Sequence, residues 1–176
     1  MSTVASRKQK GRRAQQFVRD LLLEKTKKYG LVFGDIESTS LGVSGVDIKL
    51  SPLAKTIIPF SIEVKNQEKI NLNSCLLQAE NNSSETSPAL LIIKKNRSKT
   101  YSILEYDILK KYIKQDKNIF DITTINRTSF NIWSIINKVE ANVVDDRIPL
   151  VVFKRNRSKT YAVLEVNELF KLIFDE

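Results

Sequence analysis

The chain has 176 residues, 41% of them hydrophobic, and its 29 lysines and arginines outnumber its 20 acidic residues, which gives a net charge of +9. One main hydrophobic core and a polyanionic partner, with nucleic acid as the first candidate, are therefore expected. The sequence contains no histidine and one cysteine, Cys75, which excludes an internal disulfide, histidine-dependent hydrolases and a structural zinc site.

The N-terminal stretch MSTVASRKQKGRR is basic and lacks the apolar core of a signal peptide, and no apolar run approaches ~20 residues. No Walker-type phosphate loop is present. These features predict a cytoplasmic protein with no membrane partner and no small-molecule cofactor. The stretch also supplies cations that we expect to contact phosphates, with a solvated, mobile end as the alternative. They are Arg7, Lys8, Lys10, Arg12 and Arg13.

Apolar residues recur at helical spacing from Gly11 to Tyr29, which predicts an amphipathic helix with Gly30 as its C-cap. The following segments predict strands and helices in alternation. Strands are expected at 31–33, 46–50, 59–65, 89–95 and 100–106, a polar loop at 34–45, and helices at 71–82 and 107–113. This order indicates an α/β fold with a mixed central sheet and flanking helices.

One phrase occurs twice, as KKNRSKTYSILE at 94–105 and as KRNRSKTYAVLE at 154–165. Aligned without gaps at this offset of 60, residues 60–113 and 120–173 share 20 identities in 54 positions. The identity indicates a tandem duplication of a β-α-β-β-α unit. We therefore expect two regions, residues 1–113 and residues 114–176, of which the second is a degenerate repeat of 60–113.

The repeated phrase has the polar, turn-forming character of a hairpin tip. We expect the tips to bind phosphate through Arg97 and Lys99 in the first copy and Arg157 and Lys159 in the second. The alternative is that duplication simply copied a stable hairpin.

The segment PFSIEVK places Glu63 and Lys65 on one face of a strand, opposite its apolar residues. If this strand pairs with VDIKL as a hairpin centred near Lys55, Asp47 lies directly opposite Glu63. Two carboxylates beside a lysine suit a hard divalent cation such as Mg²⁺ and phosphodiester hydrolysis. An ordinary solvated strand face is the alternative. In the second copy, Thr123 and Ile125 replace Glu63 and Lys65.

With this order of elements, Asp47 followed by Glu63-Val-Lys65 resembles the PD-(D/E)XK nuclease superfamily. The stretches KGRRAQQFVRDLL, STSLGVSGVDIKLSP, FSIEVKNQEK and LLQAE are similar to phage-type endonucleases related to archaeal Holliday-junction resolvases. The resemblance implies a restriction-endonuclease-like αβββαβ core in residues 1–113 and an origin in a phage or mobile element. It also implies a homodimer that cleaves branched DNA with Mg²⁺, or with Mn²⁺ in its place.

By the same resemblance, Asp47 and Glu63 are metal ligands and Lys65 is the catalytic lysine. Gln15 occupies the first-helix position at which many relatives carry a glutamate, and we expect it to act through a metal-bound water. A sequence-specific homing-type endonuclease and an inactive DNA-binding module are the alternatives, and a purely structural protein is a more distant one.

Other residues near these motifs are weaker candidates for the site, or are expected in the core. Ser38, Ser40 and Ser44 precede Asp47 and are candidates for contact with the scissile phosphate, although most such serines only satisfy turns. Gln78 faces the site or solvent, and Asp35 and Glu37 are spare carboxylates. Cys75 and Trp133 are expected in the core.

Overall fold

The computed structural model describes residues 4–39, 45–113, 119–127, 129–154 and 159–174. Backbone contacts group the chain into two compact units, Met1–Thr100 and Tyr101–Glu176. None of the helices in the described ranges combines the length and the apolarity needed to cross a membrane.

The described part of the first unit alternates helices with short strands. In chain order they are α1 (Val4–Thr26), β1 (Ile36–Ser38), β2 (Ile48–Leu50), α2 (Pro52–Ile57), β3 (Ser61–Asn66), α3 (Leu72–Asn81) and β4 (Ala89–Lys94). β1 and β2 form an antiparallel pair. β3 and β4 run parallel, with Glu63 level with Leu91, and α3 forms the crossover between them.

Helix α1 buries one stripe of its surface and ends at a glycine. Ala14, Val18 and Leu22 lie in the core at helical spacing, as the sequence predicts. A short 3₁₀ turn follows α1, and Gly30 terminates it in the left-handed conformation, with φ of 78°. The helix begins at Val4, before the predicted start, so the basic stretch from Arg7 to Arg13 belongs to α1 and is not the loose end that the sequence left as an alternative.

Several local predictions fail between α1 and β3, where the predicted polar loop at 34–45 contains strand β1. Residues 31–33 are not a strand, because a 3₁₀ turn occupies Phe33–Asp35 and the strand β1 follows it. The segment between β2 and β3 contains helix α2, whose N-cap Ser51 accepts a hydrogen bond from the Ala54 backbone N–H at 3.1 Å. A serine N-cap followed by proline at the first helical position is compatible with a helix start.

The insertion of α2 also removes the predicted hairpin that would place Asp47 opposite Glu63. β2 pairs with β1. The expected proximity arises differently, because the Asp47 backbone N–H donates to the Ile62 carbonyl at 3.1 Å. This bond connects the residue before β2 to the middle of β3.

The second unit contains strands of both pairing types with helices between them. Its described elements are β5 (Thr100–Glu105), α4 (Tyr106–Tyr112), β6 (Phe120–Ile125), α5 (Ile132–Ala141), β7 (Ile148–Lys154), β8 (Thr160–Glu165) and α6 (Val166–Phe174). The strand order is β5-β8-β7-β6, parallel only between β6 and β7. The predicted class, α/β with mixed strand pairing and flanking helices, is confirmed.

The elements of the aligned segments recur at the sequence offset. α3 begins at Leu72 and α5 at Ile132, and β5 begins at Thr100 and β8 at Thr160, 60 positions apart in each case. The contact boundary between Thr100 and Tyr101 falls before the boundary at 113 that the repeat suggests. The reason is that β5 pairs along its length with β8.

Candidate active site

The predicted carboxylates lie in an open cleft of the first unit, with a volume of about 1300 Å³. Its walls come from α1, from the residues before β2, from β3 and the loop that follows it, and from α3 with its C-cap Asn82. The polar and charged residues that line it are Lys8, Lys10, Gln15, Asp47, Glu63, Lys65, Asn66, Gln67, Glu68, Lys69, Ser74, Gln78, Asn81 and Asn82. Amides and lysines therefore surround two central carboxylates.

Asp47 is held by the backbone on one side and by α1 on the other. Its Oδ2 accepts the Val64 backbone N–H at 2.7 Å, and its Oδ1 accepts Gln15 Nε2 at 2.5 Å. The Asp47 carbonyl accepts the Thr39 N–H at 2.9 Å. These bonds fix the carboxylate against β3, although Asp47 precedes β2 and belongs to no strand.

Glu63 is the most deeply placed charge of the cleft, with a side chain only 2% exposed. Lys65 Nζ donates to its Oε1 at 2.6 Å and Gln78 Nε2 to the same oxygen at 2.7 Å. Asn82 Nδ2 approaches Oε2 at 3.4 Å and also donates to the Gly45 carbonyl at 3.2 Å. The carboxylate is thus buried but surrounded by donors, as a buried charge requires.

Burial raises the pKa of Glu63, and the nearby charge of Asp47 acts in the same direction, while the hydrogen bond from Lys65 opposes them. The neighbouring thiol of Cys75 is buried as predicted, and burial raises its pKa. Cys75 is therefore a packing residue of α3 and is not a reactive thiol.

Lys65 lies between the buried acid and the open cleft. Besides its ion pair with Glu63, Nζ donates to Gln78 Oε1 at 2.9 Å, and its side chain is 19% exposed. Lys65 can therefore keep its bond to Glu63 while it presents positive charge to a ligand in the cleft.

Gln15 carries the clearest sign of an unfilled interaction. Its side chain is 7% exposed and its Nε2 is bonded to Asp47, but its Oε1 is buried without a hydrogen-bond partner. Native proteins rarely leave a buried carbonyl oxygen unpaired, so this atom calls for a water or a cation.

Of the residues predicted to bind DNA, two line the cleft and others lie outside it. Lys8 and Lys10 are at its wall, whereas Arg12 and Arg13 are exposed further along α1 and do not line it. Ser40, Ser44, Arg157 and the Arg7 side chain lie outside the described residues.

The two hairpin tips differ in the bonds of their described residues. Arg97 is exposed and adopts a positive φ of 54°, and the neighbouring Asn96 N–H donates to Glu68 Oε1 at 2.9 Å. Lys99 is also exposed. In the second tip, Lys159 Nζ forms an ion pair with Glu105 Oε2 at 2.9 Å.

The spare carboxylates and serines have structural roles or exposed positions. Asp35 accepts hydrogen bonds from the Val32 N–H and from Ser51 Oγ, and these bonds lower its pKa. Glu37 is exposed on β1, opposite Lys49. Ser38 is half-buried in β1 and, like Asp35 and Glu37, does not line the cleft.

The sequence pattern alone did not single out Asn82, which joins the Gly45 turn to Glu63. A signal for it exists, because Asn82 follows Gln78 by four residues and such residues share a helix face. Gln78 itself lies at the site, one of the two alternatives that the sequence left open.

Comparisons with protein-family models, with curated proteins and with solved structures found no match. The interpretation of the cleft therefore depends on its residues and their geometry.

Proposed function

We propose that the protein is a Mg²⁺-dependent DNA endonuclease of the PD-(D/E)XK type that acts selectively on branched DNA. The observation that carries the proposal is the buried Glu63 carboxylate, paired with Lys65 and close to Asp47 at the wall of an open cleft. A buried acid with a raised pKa beside a second acid is unfavourable for stability and is typical of functional sites.

The oxygen atoms of the cleft fit a hard cation. Within the described part of the chain, no three acidic, imidazole or thiol side chains cluster. Asp47 and Glu63 would therefore hold Mg²⁺ with amide or carbonyl oxygens and water completing its shell, as this ion commonly requires. The unpartnered Gln15 Oε1 is the atom that supports this fit.

The chain's own residues have separable roles in this proposal. When bound, Mg²⁺ supplies Lewis-acid activation of water and neutralises phosphate charge. Asp47 is positioned by the Val64 N–H, and Glu63 by Gln78 and Asn82. Lys65 places its ammonium where it stabilises negative charge that develops on the phosphate.

The preference for DNA rests on charge, and the preference for branched DNA rests on the resemblance. Lys8, Lys10 and Lys69 at the cleft wall suit a phosphate backbone. The recurrence of elements 60 positions apart supports the proposal that residues 114–176 are a duplicated, non-catalytic copy of 60–113. The resemblance implies a homodimer, and the pairing of β5 with β8 in one chain is the observation that argues against it.

The test is cleavage of a labelled four-way junction, a replication fork and a linear duplex of matched sequence, each with and without Mg²⁺. We expect Mg²⁺-dependent cutting that is strongest on the branched substrates. Asp47→Asn should abolish it, whereas Asp146→Asn, a matched change at an exposed loop position, should not. Equal cutting by both variants would overturn the site assignment.

Two other outcomes would favour the rival functions. Cutting at one position of the linear duplex, without preference for junctions, would support a homing-type endonuclease. Tight binding without any cutting in Mg²⁺ or Mn²⁺ would support an inactive DNA-binding module. The feature that favours this rival is Gln15, a neutral amide at the position where many relatives carry a glutamate.

A further inference from the structure

The pairing of β5 with β8 joins equivalent strands of the two copies in a self-complementary register. Ile103 lies opposite Val163, its own counterpart 60 positions later. Tyr101 lies opposite Glu165, and Glu105 lies opposite Tyr161. Since Tyr161 and Glu165 are the counterparts of Tyr101 and Glu105, each pair is repeated with its members exchanged. This is the pattern of a two-fold axis between Ile103 and Val163.

Such a register is the signature of an interface between identical subunits. In a two-fold symmetric dimer, residue i contacts residue j of the partner and j contacts i, and antiparallel pairing of one edge strand with its copy satisfies that rule. Here a single chain supplies both strands. The edge of β5, which would otherwise be open to a second chain, is already occupied.

Side chains on both strands show that the pairing is part of the core. Ile103, Leu104, Val163 and Leu164 are each 1% exposed. Ser102 Oγ donates to the Leu164 carbonyl at 3.0 Å, and Tyr101 Oη donates to Glu140 Oε1 on α5 at 2.9 Å. The Tyr101 ring also packs edge-on against Trp133, with the ring centres 6.2 Å apart. The first copy's strand is therefore anchored to the helix and the strand of the second copy.

The second copy does not bring a second catalytic set with it. At the positions of Glu63, Lys65 and Gln78 it carries Thr123, Ile125 and Lys138. The segment that supplies Gln15 and Asp47 precedes the repeat and is not duplicated. Each chain therefore holds one candidate centre.

We propose that the C-terminal copy takes the place of a second subunit, so that the protein acts as a monomer whose single centre nicks one DNA strand per encounter. The observation behind the monomeric state is the β5–β8 pairing, and the nicking step rests on the proposed function.

The first measurement is the mass of the full chain in solution, by size-exclusion chromatography with light scattering at physiological salt. We expect the monomer mass of 20.2 kDa. A concentration-independent mass of twice that value would overturn the proposal.

A crosslinking test distinguishes internal pairing from strand exchange between chains. Ile103→Cys and Val163→Cys are combined in a Cys75→Ala background, so that the two new thiols face each other across the paired strands. Oxidation should give an intramolecular disulfide. On a denaturing gel run without reducing agent, the oxidised chain should migrate faster than the reduced chain. The two single-cysteine variants serve as controls. A disulfide-linked dimer as the main product would overturn the internal pairing. If the variant does not fold, the mass of the unmodified chain still decides the question.

The nicking step is measured with supercoiled plasmid and limiting enzyme in Mg²⁺. Open circles should accumulate first, and linear DNA should appear only later through independent second cuts. Linear product formed directly from supercoiled plasmid would overturn the single-strand step. Absence of all cutting would overturn the proposed function and the nicking step with it, while the mass and the crosslink would still decide the monomeric pairing.

Discussion

Strands β3 and β6 occupy equivalent places in the two copies but have different surroundings. Each runs parallel to the strand that follows its helix, and each is followed by a helix that an asparagine caps, Asn71 in one copy and Asn131 in the other. β3 is buried from Ser61 to Val64, including Glu63, whereas Ile122 on β6 is 43% exposed.

The comparison shows that the candidate site depends on the N-terminal segment as much as on the strand. α1 packs against β3, and Asp47 bonds to it through the Ile62 carbonyl and the Val64 N–H. The duplicated segment begins at residue 60, so the copy has no counterpart of either. The equivalent strand and helix of the second copy therefore lack the residues that α1 and the segment before β2 add to the candidate site.

The largest expected difference in cleavage rate is between substitutions on β3 and a substitution at the equivalent position of β6. Glu63→Gln and Lys65→Met should each reduce Mg²⁺-dependent cleavage by about a thousand-fold, since the first weakens the binding of Mg²⁺ and the second removes the positive charge that stabilises the phosphate. Thr123→Val on β6 should leave the rate within about two-fold. Single-turnover cleavage rates, with folding checked by circular dichroism, measure the difference. Similar reductions on both strands would show that β6 takes part in the chemistry.

A second contrast lies in the helices that follow the strands. Trp133 on α5 is 5% exposed and packs against Tyr101, whereas its counterpart on α3, Asn73, is exposed. Trp133→Ala should lower the free energy of unfolding by about 3–5 kcal/mol through the cavity it leaves. Asn73→Ala should change it by less than about 0.5 kcal/mol. Denaturant titration gives both values, and a small decrease for Trp133→Ala would mean that α5 repacks.

How much the sequence reveals depends on which interactions decide each element. α1 and α3 follow from helical periodicity, and β4 and β5 follow from short apolar segments, because these strands are buried along most of their length. β1 and α2 do not, because Ser51-Pro52 is as typical of a connector as of a helix start and the hydrogen bonds of β1 come from β2. Asp47 and Glu63 could be chosen by residue type and spacing. The hydrogen bond from the Val64 N–H to Asp47 and the unpartnered Gln15 oxygen can be seen only in the tertiary structure, because they join segments that are distant in sequence.

The repeated hairpin tips allow a matched test of DNA binding. Replacing Arg97 and Lys99 with Ala should lower the slope of log affinity against log salt by about 1.8, or 0.9 for each phosphate that is no longer neutralised. Replacing Arg157 and Lys159 should lower the slope equally if both tips bind DNA. The ion pair of Lys159 with Glu105 does not prevent this, because such a surface pair contributes only about 1 kcal/mol or less and Lys159 can exchange it for a phosphate. Fluorescence anisotropy over a salt series supplies the slopes. An unchanged slope for the second pair alone would leave that hairpin as a structural copy.

Glu63 should also make the first copy sensitive to pH in a way that the second is not. Its pKa is raised in the folded state, so its contribution to stability is fully present below its unfolded pKa and is lost as the pH rises through the folded pKa. Glu63→Gln should therefore raise the melting temperature at neutral pH in EDTA, and the increase should shrink as the pH falls below the unfolded value. Melting curves from pH 4 to 8, with Glu85→Gln at an exposed position as the control, measure it. A lower melting temperature for Glu63→Gln at pH 7 would show that its bonds with Lys65 and Gln78 outweigh its burial.

The smallest expected effect on cleavage comes from placing the charged residues of β3 on β6, which tests directly why only the first copy carries the candidate site. Thr123→Glu with Ile125→Lys restores on β6 the two side chains that β3 carries, in a chain whose own centre is disabled by Glu63→Gln. If strand chemistry alone made the site, cleavage would return. We expect none, because no counterpart of Asp47 or of Gln15 accompanies the second copy. The same assay on junction DNA gives the cleavage rate. The detection limit is set with the unmodified chain diluted to about one part in a thousand, because this matches the residual rate expected of the Glu63→Gln centre. A rate above that limit would mean that the strand and its helix suffice, and that the N-terminal wall serves only to stabilise the fold.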